Sequence, residues 1–115
     1  MKLYCSDSDI LVAENLKAAK DPLSRLKGLL FTKELKKGCG LWLKDCNSIH
    51  TFFMRYAIDV LFTDRNLRVV KIIPSMLPNR ISPIVFKAHS VIELPAGTLV
   101  QTPIRIADQL EIKPD

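Results

Sequence analysis

The sequence predicts an α+β fold, mainly antiparallel β, built as a barrel-like or strongly curved sheet with one short helix packed on it. Three observations lead there. From Leu41 onward, runs rich in aromatic and β-branched residues (LWL, SIHTFFM, IDVLF, LRVVKII) alternate with turn-forming residues, the pattern of short strands. Before them only one stretch has clear helical spacing, so strands outnumber helices by about six to one. The chain has 115 residues, enough for one hydrophobic core and a single domain over residues 1–115.

The elements follow in order. DILVAENLKAA, residues 9–19, holds a short apolar run that reads as a strand leading into polar residues. Asp21 before Pro22 starts a helix, because the Asp side chain can cap free N–H groups and Pro fits the first turn. Leu23, Leu26, Leu29 and Leu30 then share one face of a helix of about ten residues. Gly38 and Gly40 mark a turn. After the LWL, SIHTFFM and IDVLF strands, TDRNLR forms a hairpin turn about Asp64 to Leu67, pairing IDVLF with RVVKII over residues 58–73. Pro74, Pro78 and Pro83 make SMLPNRISP an irregular loop, since each Pro removes a ladder donor, and the loop is too apolar for a mere linker. HSVIELPAG is a strand ended by Pro95 and Gly97, and DQLEIK is a final short one.

Composition narrows the class. An apolar fraction of 48% and a charged fraction of 25% are those of an ordinary globular protein rather than a disordered or fibrous one. No apolar run approaches the roughly 18 residues of a membrane span. MKLYCSDSDILVAENL has one early Lys, and Ser and Asp interrupt any signal-peptide core, so a cytoplasmic protein is expected. Cys5, Cys39 and Cys46 are an odd number without a CxxC pair, which implies reduced, structural thiols rather than a disulfide framework or zinc knuckle. The net charge of +5 is concentrated in residues 17–44, where eight Lys and Arg face only Asp21 and Glu34. Aromatic residues do not interleave with these cations as base stacking requires, so a solvated basic face is expected and nucleic acid is not.

Four motifs then occur together. RLKGLLF, SIHTFFMRYAIDVLF followed by a turn and RVVKI, VIELPAG, and IADQLEI resemble, in this order, the small bacterial and archaeal family called domain of unknown function 192. The resemblance covers about residues 20–112 and implies a compact, β-rich single domain with no established activity. Two departures stand out. The family pattern usually has Gly-Asp near its end, where this chain has Ala107 and Asp108, and many members look exported, whereas this sequence begins without a signal peptide.

Candidate chemistry centres on CNSIHTFFMRYAIDVLF. Cys46 and His50 are four residues apart, which in a strand means about 13 Å, too far for the hydrogen bond that activates a thiol. A zinc site needs three or four ligands, yet the chain has only His50 and His89, with Cys46 and Glu93 as helpers if their strands are neighbours; no metal and no cofactor is expected. Asp59 lies among apolar residues in YAIDVLF, and an inward carboxylate needs a donor such as Arg55 or backbone N–H groups. The competing pattern is alternation, with Ile58 and Val60 inward and Asp59 outward. Trp42, Phe52, Phe53 and Tyr56 fill the core or line a groove, the core being the first expectation, and Met54, Met76 and Leu77 belong with them.

The resulting expectation is a domain that binds a small ligand or a protein through His50, Arg55, Asp59 and Glu93 beside the SMLPNRISP loop. The alternative is a small hydrolase-like enzyme using His50, Asp59 and Glu93. An enzyme requires a closed pocket with converging polar groups, whereas a binding domain presents an open apolar patch.

Overall fold

Eight strands and one short helix account for the regular structure in a computed structural model that describes residues 1–19 and 35–115. They are β1 (Lys2–Cys5), β2 (Ile10–Ala13), β3 (Asn15–Ala19), β4 (Cys39–Lys44), β5 (Ile58–Thr63), β6 (Val69–Met76), β7 (Ser90–Pro95), α1 (Thr98–Gln101) and β8 (Leu110–Lys113). The helix expected after Asp21 lies outside the described residues.

Two sheets result, a three-stranded one ordered β2-β1-β8 and a five-stranded one ordered β3-β4-β7-β5-β6. Every pairing is antiparallel except β3 with β4. Neither sheet closes: the smaller ends at β2 and β8, the larger at β3 and β6. The mainly antiparallel class is therefore found, and among the described residues no sheet is closed or strongly curled, since the strands divide between two sheets that cover each other's apolar faces.

β5 is buried along its whole length. Ile58, Val60 and Phe62 enter one core with Leu41, Leu43, Met54, Met76 and Val91. Leu61 points the other way, joining Ile92 and Leu94 in a second core completed by Leu3, Val12, Leu16 and Leu110. Each fully buried Leu or Ile contributes about 1.5–3 kcal/mol to such a core. Burial on both faces also explains why IDVLF and VIEL read as unbroken runs instead of alternating apolar with polar residues.

The hairpin over residues 58–73 forms as expected, with Leu61 opposite Ile72 and Phe62 opposite Lys71. Asp64 Oδ1 accepts the N–H groups of Asn66 at 2.9 Å and Arg68 at 3.0 Å, and Leu67 takes a positive φ of 62°. β6 continues through Pro74 because it is an edge strand, where Pro is tolerated. The β5–β6 register shifts between Ile58 and Val60, opposite the segment where Ser75 has a φ of 47°. Gly38, with a φ of 84°, makes the expected turn. Gly40 does not: it lies inside β4, where a Cβ would come within 3.0 Å of both Leu16 Cδ1 and Leu94 Cδ2, so it permits close packing.

SIHTFFM is not a strand. Among the described residues its one ladder contact is an isolated bridge between His50 and Ile81, and Phe53 adopts a φ of 65° that turns the chain away. Strand β1 and helix α1 have no counterpart in the sequence reading.

Candidate functional site

The local structure around Asp59 settles where its carboxylate goes. Its side chain shares a face with Leu61, and since that face carries the second core, Asp59 is only 1% exposed. Alternation holds, but the other side is the second core rather than the surface. Oδ1 accepts the Ser75 N–H at 2.8 Å and Oδ2 accepts the Leu99 N–H at 3.0 Å. Leu99 belongs to the first turn of α1, which has no side-chain cap of its own, so Asp59 takes an N–H that helix geometry leaves free. Its partners are backbone donors, and Arg55 stands exposed.

Glu93 is fully buried, opposite Val60, on the face carrying the first core. Asp59 and Glu93 are thus held apart by the sheet itself. His50 is exposed on the loop after β4; its ring stacks on Phe52 with centroids 4.9 Å apart, and its Nδ1 accepts the Phe52 N–H at 3.3 Å. Of the four residues singled out from the sequence, two are thus buried on opposite faces of one sheet and two are exposed on the loops.

What the fold does bring together is a pair of loops. The Ser82 N–H donates to Ile49 O at 2.9 Å, the Val85 N–H to Asn47 O at 2.9 Å, and the Thr51 N–H to Arg80 O at 2.8 Å. Thr51, with no exposed surface, is the pin: its hydroxyl donates to Leu77 O at 2.6 Å and accepts the Arg80 N–H at 2.9 Å. Its carbonyl accepts the Asn79 N–H at 2.8 Å. Buried Ser82 adds a second tie, its Oγ accepting the Ile49 N–H at 2.9 Å. Neither Thr51 nor Ser82 was singled out in the sequence, since an isolated hydroxyl residue there carries no spacing signal.

With the backbone of these loops satisfied internally, their apolar side chains are left to face solvent. Phe86 is 88% exposed, Phe53 80%, Ile81 70%, Ile84 57%, and Leu77 53%. Phe52 is also exposed. The assignment of Phe52, Phe53 and Leu77 to the core is therefore corrected, whereas Met54 and Met76 are buried and Trp42 and Tyr56 are half-buried against the two cores.

Two of the clefts on the described surface are lined by other residues than His50, Arg55, Asp59 and Glu93. One, of about 320 Å³, lies between Trp42, Lys44, Asp45, Arg65 and His89. There Lys44 Nζ sits 4.5 Å from the Trp42 ring centre and His89 Nε2 lies 3.1 Å from Asp45 Oδ1. The other, of about 370 Å³, is bounded by Val12, Glu14, Lys37, Thr98 and Gln101. Cys46 Sγ donates to Ser48 O at 3.1 Å. Among the described residues no group of three or more His, Cys, Asp and Glu side chains converges as a metal would require, and no helix is long and apolar enough to cross a membrane.

Two solved structures are similar to this fold. One, from Sinorhizobium meliloti 1021 and described as a candidate transcription regulator, shares 20% identity over 96% of this chain and 89% of its own, with a TM-score of 0.79. The other, a protein of unknown function from Novosphingobium aromaticivorans DSM 12444, shares 19% identity over 96% of this chain and 82% of its own, also with a TM-score of 0.79. At such identities the likeness extends to the fold alone. No curated protein matches the sequence. A family model does match, over residues 5–112, and it is wider than the motifs suggested because it takes in β2 and β3. With nearly the whole chain matched, the protein belongs to the family DUF192, described as "Uncharacterized ACR".

Proposed function

We propose that this domain is a binding module whose recognition surface is the loop pair pinned by Thr51, with His50 and Arg55 at that surface and Asp59 and Glu93 supporting the scaffold behind it. The exposure of Phe53 and Phe86 carries the reading. A Phe more than three-quarters exposed touches little of its own chain, and several such side chains on one loop pair form the kind of apolar patch that marks an interaction site. The hydrolase alternative is disfavoured because Asp59 spends both oxygens on backbone donors and Glu93 lies across the sheet from it.

The test uses bis-ANS, a dye that brightens on accessible apolar surface. The native protein should enhance its fluorescence, and Phe53→Ser with Phe86→Ser should reduce that enhancement by about fivefold without changing the thermal melt. An unchanged dye response in the double variant overturns the reading. Turnover of nitrophenyl esters that disappears in His50→Ala would favour the hydrolase instead.

A further inference from the structure

The loop pair carries a charge pattern as distinctive as its apolar exposure. Between Asp45 and Asp59 there is no acid, and residues 65–92 contain no Asp or Glu. The ionisable side chains interleaved with Phe53, Ile81, Ile84 and Phe86 are Arg55, Arg80 and Lys87, all exposed, together with His50. Apolar side chains that protrude singly, separated by cations and by no anions, match the boundary between acyl chains and acidic headgroups. There the rings can enter the hydrocarbon edge while the long basic side chains reach phosphates. A protein partner is usually met by anchors seated in pockets within a rim of mixed charge. Here Phe53 and Phe86 are 80% and 88% exposed, and the charged side chains interleaved with them in sequence are all basic, while Asp45 at the edge of the loop pair is matched by His89.

Resting on the binding-module reading above, we infer that the occupant of this surface is an anionic lipid bilayer, on which the domain lies without spanning it. Phe53 and Phe86 are the inserting side chains. Arg55, Arg80 and Lys87 supply the headgroup contacts, and Thr51 ties one loop to the other through Leu77 O and the Arg80 N–H.

Vesicle flotation tests this with two compositions, phosphatidylcholine alone and phosphatidylcholine with about 30% phosphatidylglycerol. The wild type should float only with the anionic vesicles. Phe53→Ser with Phe86→Ser should weaken that binding at least about tenfold, and Arg80→Gln with Lys87→Gln should do so by a similar factor. In a separate measurement, Phe86→Trp should shift its added emission to shorter wavelength with the anionic vesicles. Flotation that survives the loss of both rings overturns the inference, because attraction of the +5 net charge would then suffice. If the wild type ignores anionic vesicles yet still brightens bis-ANS through Phe53 and Phe86, the bilayer is the wrong occupant and an acidic protein segment replaces it, while the binding-module reading stands. If neither response is seen, both fall.

Discussion

Across the β5–β7 ladder, Glu93 stands opposite Val60 and Asp59 stands opposite Leu94, so the two buried carboxylates project from opposite faces of one sheet. A single step of strand alternation separates them more securely than distance would, since any path between them crosses packed β5 and β7 side chains. Asp59 consequently acts on the architecture: it joins the central hairpin, through Ser75, to the helix that follows β7, through Leu99.

Replacing Asp59 by Ala should lower unfolding stability by roughly 2–3 kcal/mol, because two backbone N–H groups lose a charged acceptor in a largely dry setting. Asp59→Asn should lose less, since one carbonyl oxygen remains. Urea denaturation near neutral pH measures both. A loss below about 0.5 kcal/mol for Asp59→Ala would mean that water satisfies the two N–H groups.

Thr51→Val should loosen the loop pair, at a cost of about 1–3 kcal/mol, by removing the hydroxyl that bridges Leu77 O and the Arg80 N–H while keeping the side-chain volume. Amide exchange at Arg80 should accelerate in this variant. Thr51→Ser retains the hydroxyl and should leave that exchange rate near wild type.

Ala107 holds a φ of 80°, a left-handed conformation that costs an L-residue about 1–2 kcal/mol and Gly very little. The family motif usually places Gly at this point. Ala107→Gly should therefore raise the thermal midpoint, and a lowered midpoint would show that Gly's extra freedom in the unfolded chain outweighs relief of the turn.

Gly40→Ala should destabilise by about 1–3 kcal/mol, the usual range for adding a methyl group to a filled core. The new Cβ would press on Leu16 and Leu94, whose tips can shift, and lie 3.3 Å from Glu93 O, which belongs to the neighbouring strand and cannot. Chemical denaturation reads the effect directly.

The strands were legible where local chemistry and burial agree. IDVLF, RVVKII and VIEL are rich in strand-forming residues and pack in the centre, and TDRNLR contains the Asp64 side chain that builds its own turn. Legibility failed for SIHTFFM, whose composition is equally strand-like, because its backbone is captured by Thr51 hydrogen bonds to residues 77–80, far away in sequence. The same long-range ties invert its burial, so Phe52 and Phe53 face solvent while small, polar Thr51 is fully enclosed. Asp59 was half legible: its apolar setting pointed to a partner, but only the tertiary structure supplies a second core that buries the outward face of β5.

The pairing of β1 with β8 joins Lys2 to Lys113 and Cys5 to Leu110, which makes one of the two sheets depend on residues made more than a hundred positions apart. During synthesis β1 can pair at once with β2, but its other edge stays unpaired until β8 has been made. Closing so large a loop is entropically slow, so the five-stranded sheet has time to assemble first and present Ile92 and Leu94 as the surface on which β8 meets β1. In the interval between those two steps one edge of β1 is unpaired, and an unpaired edge is what makes a partly folded chain prone to aggregate.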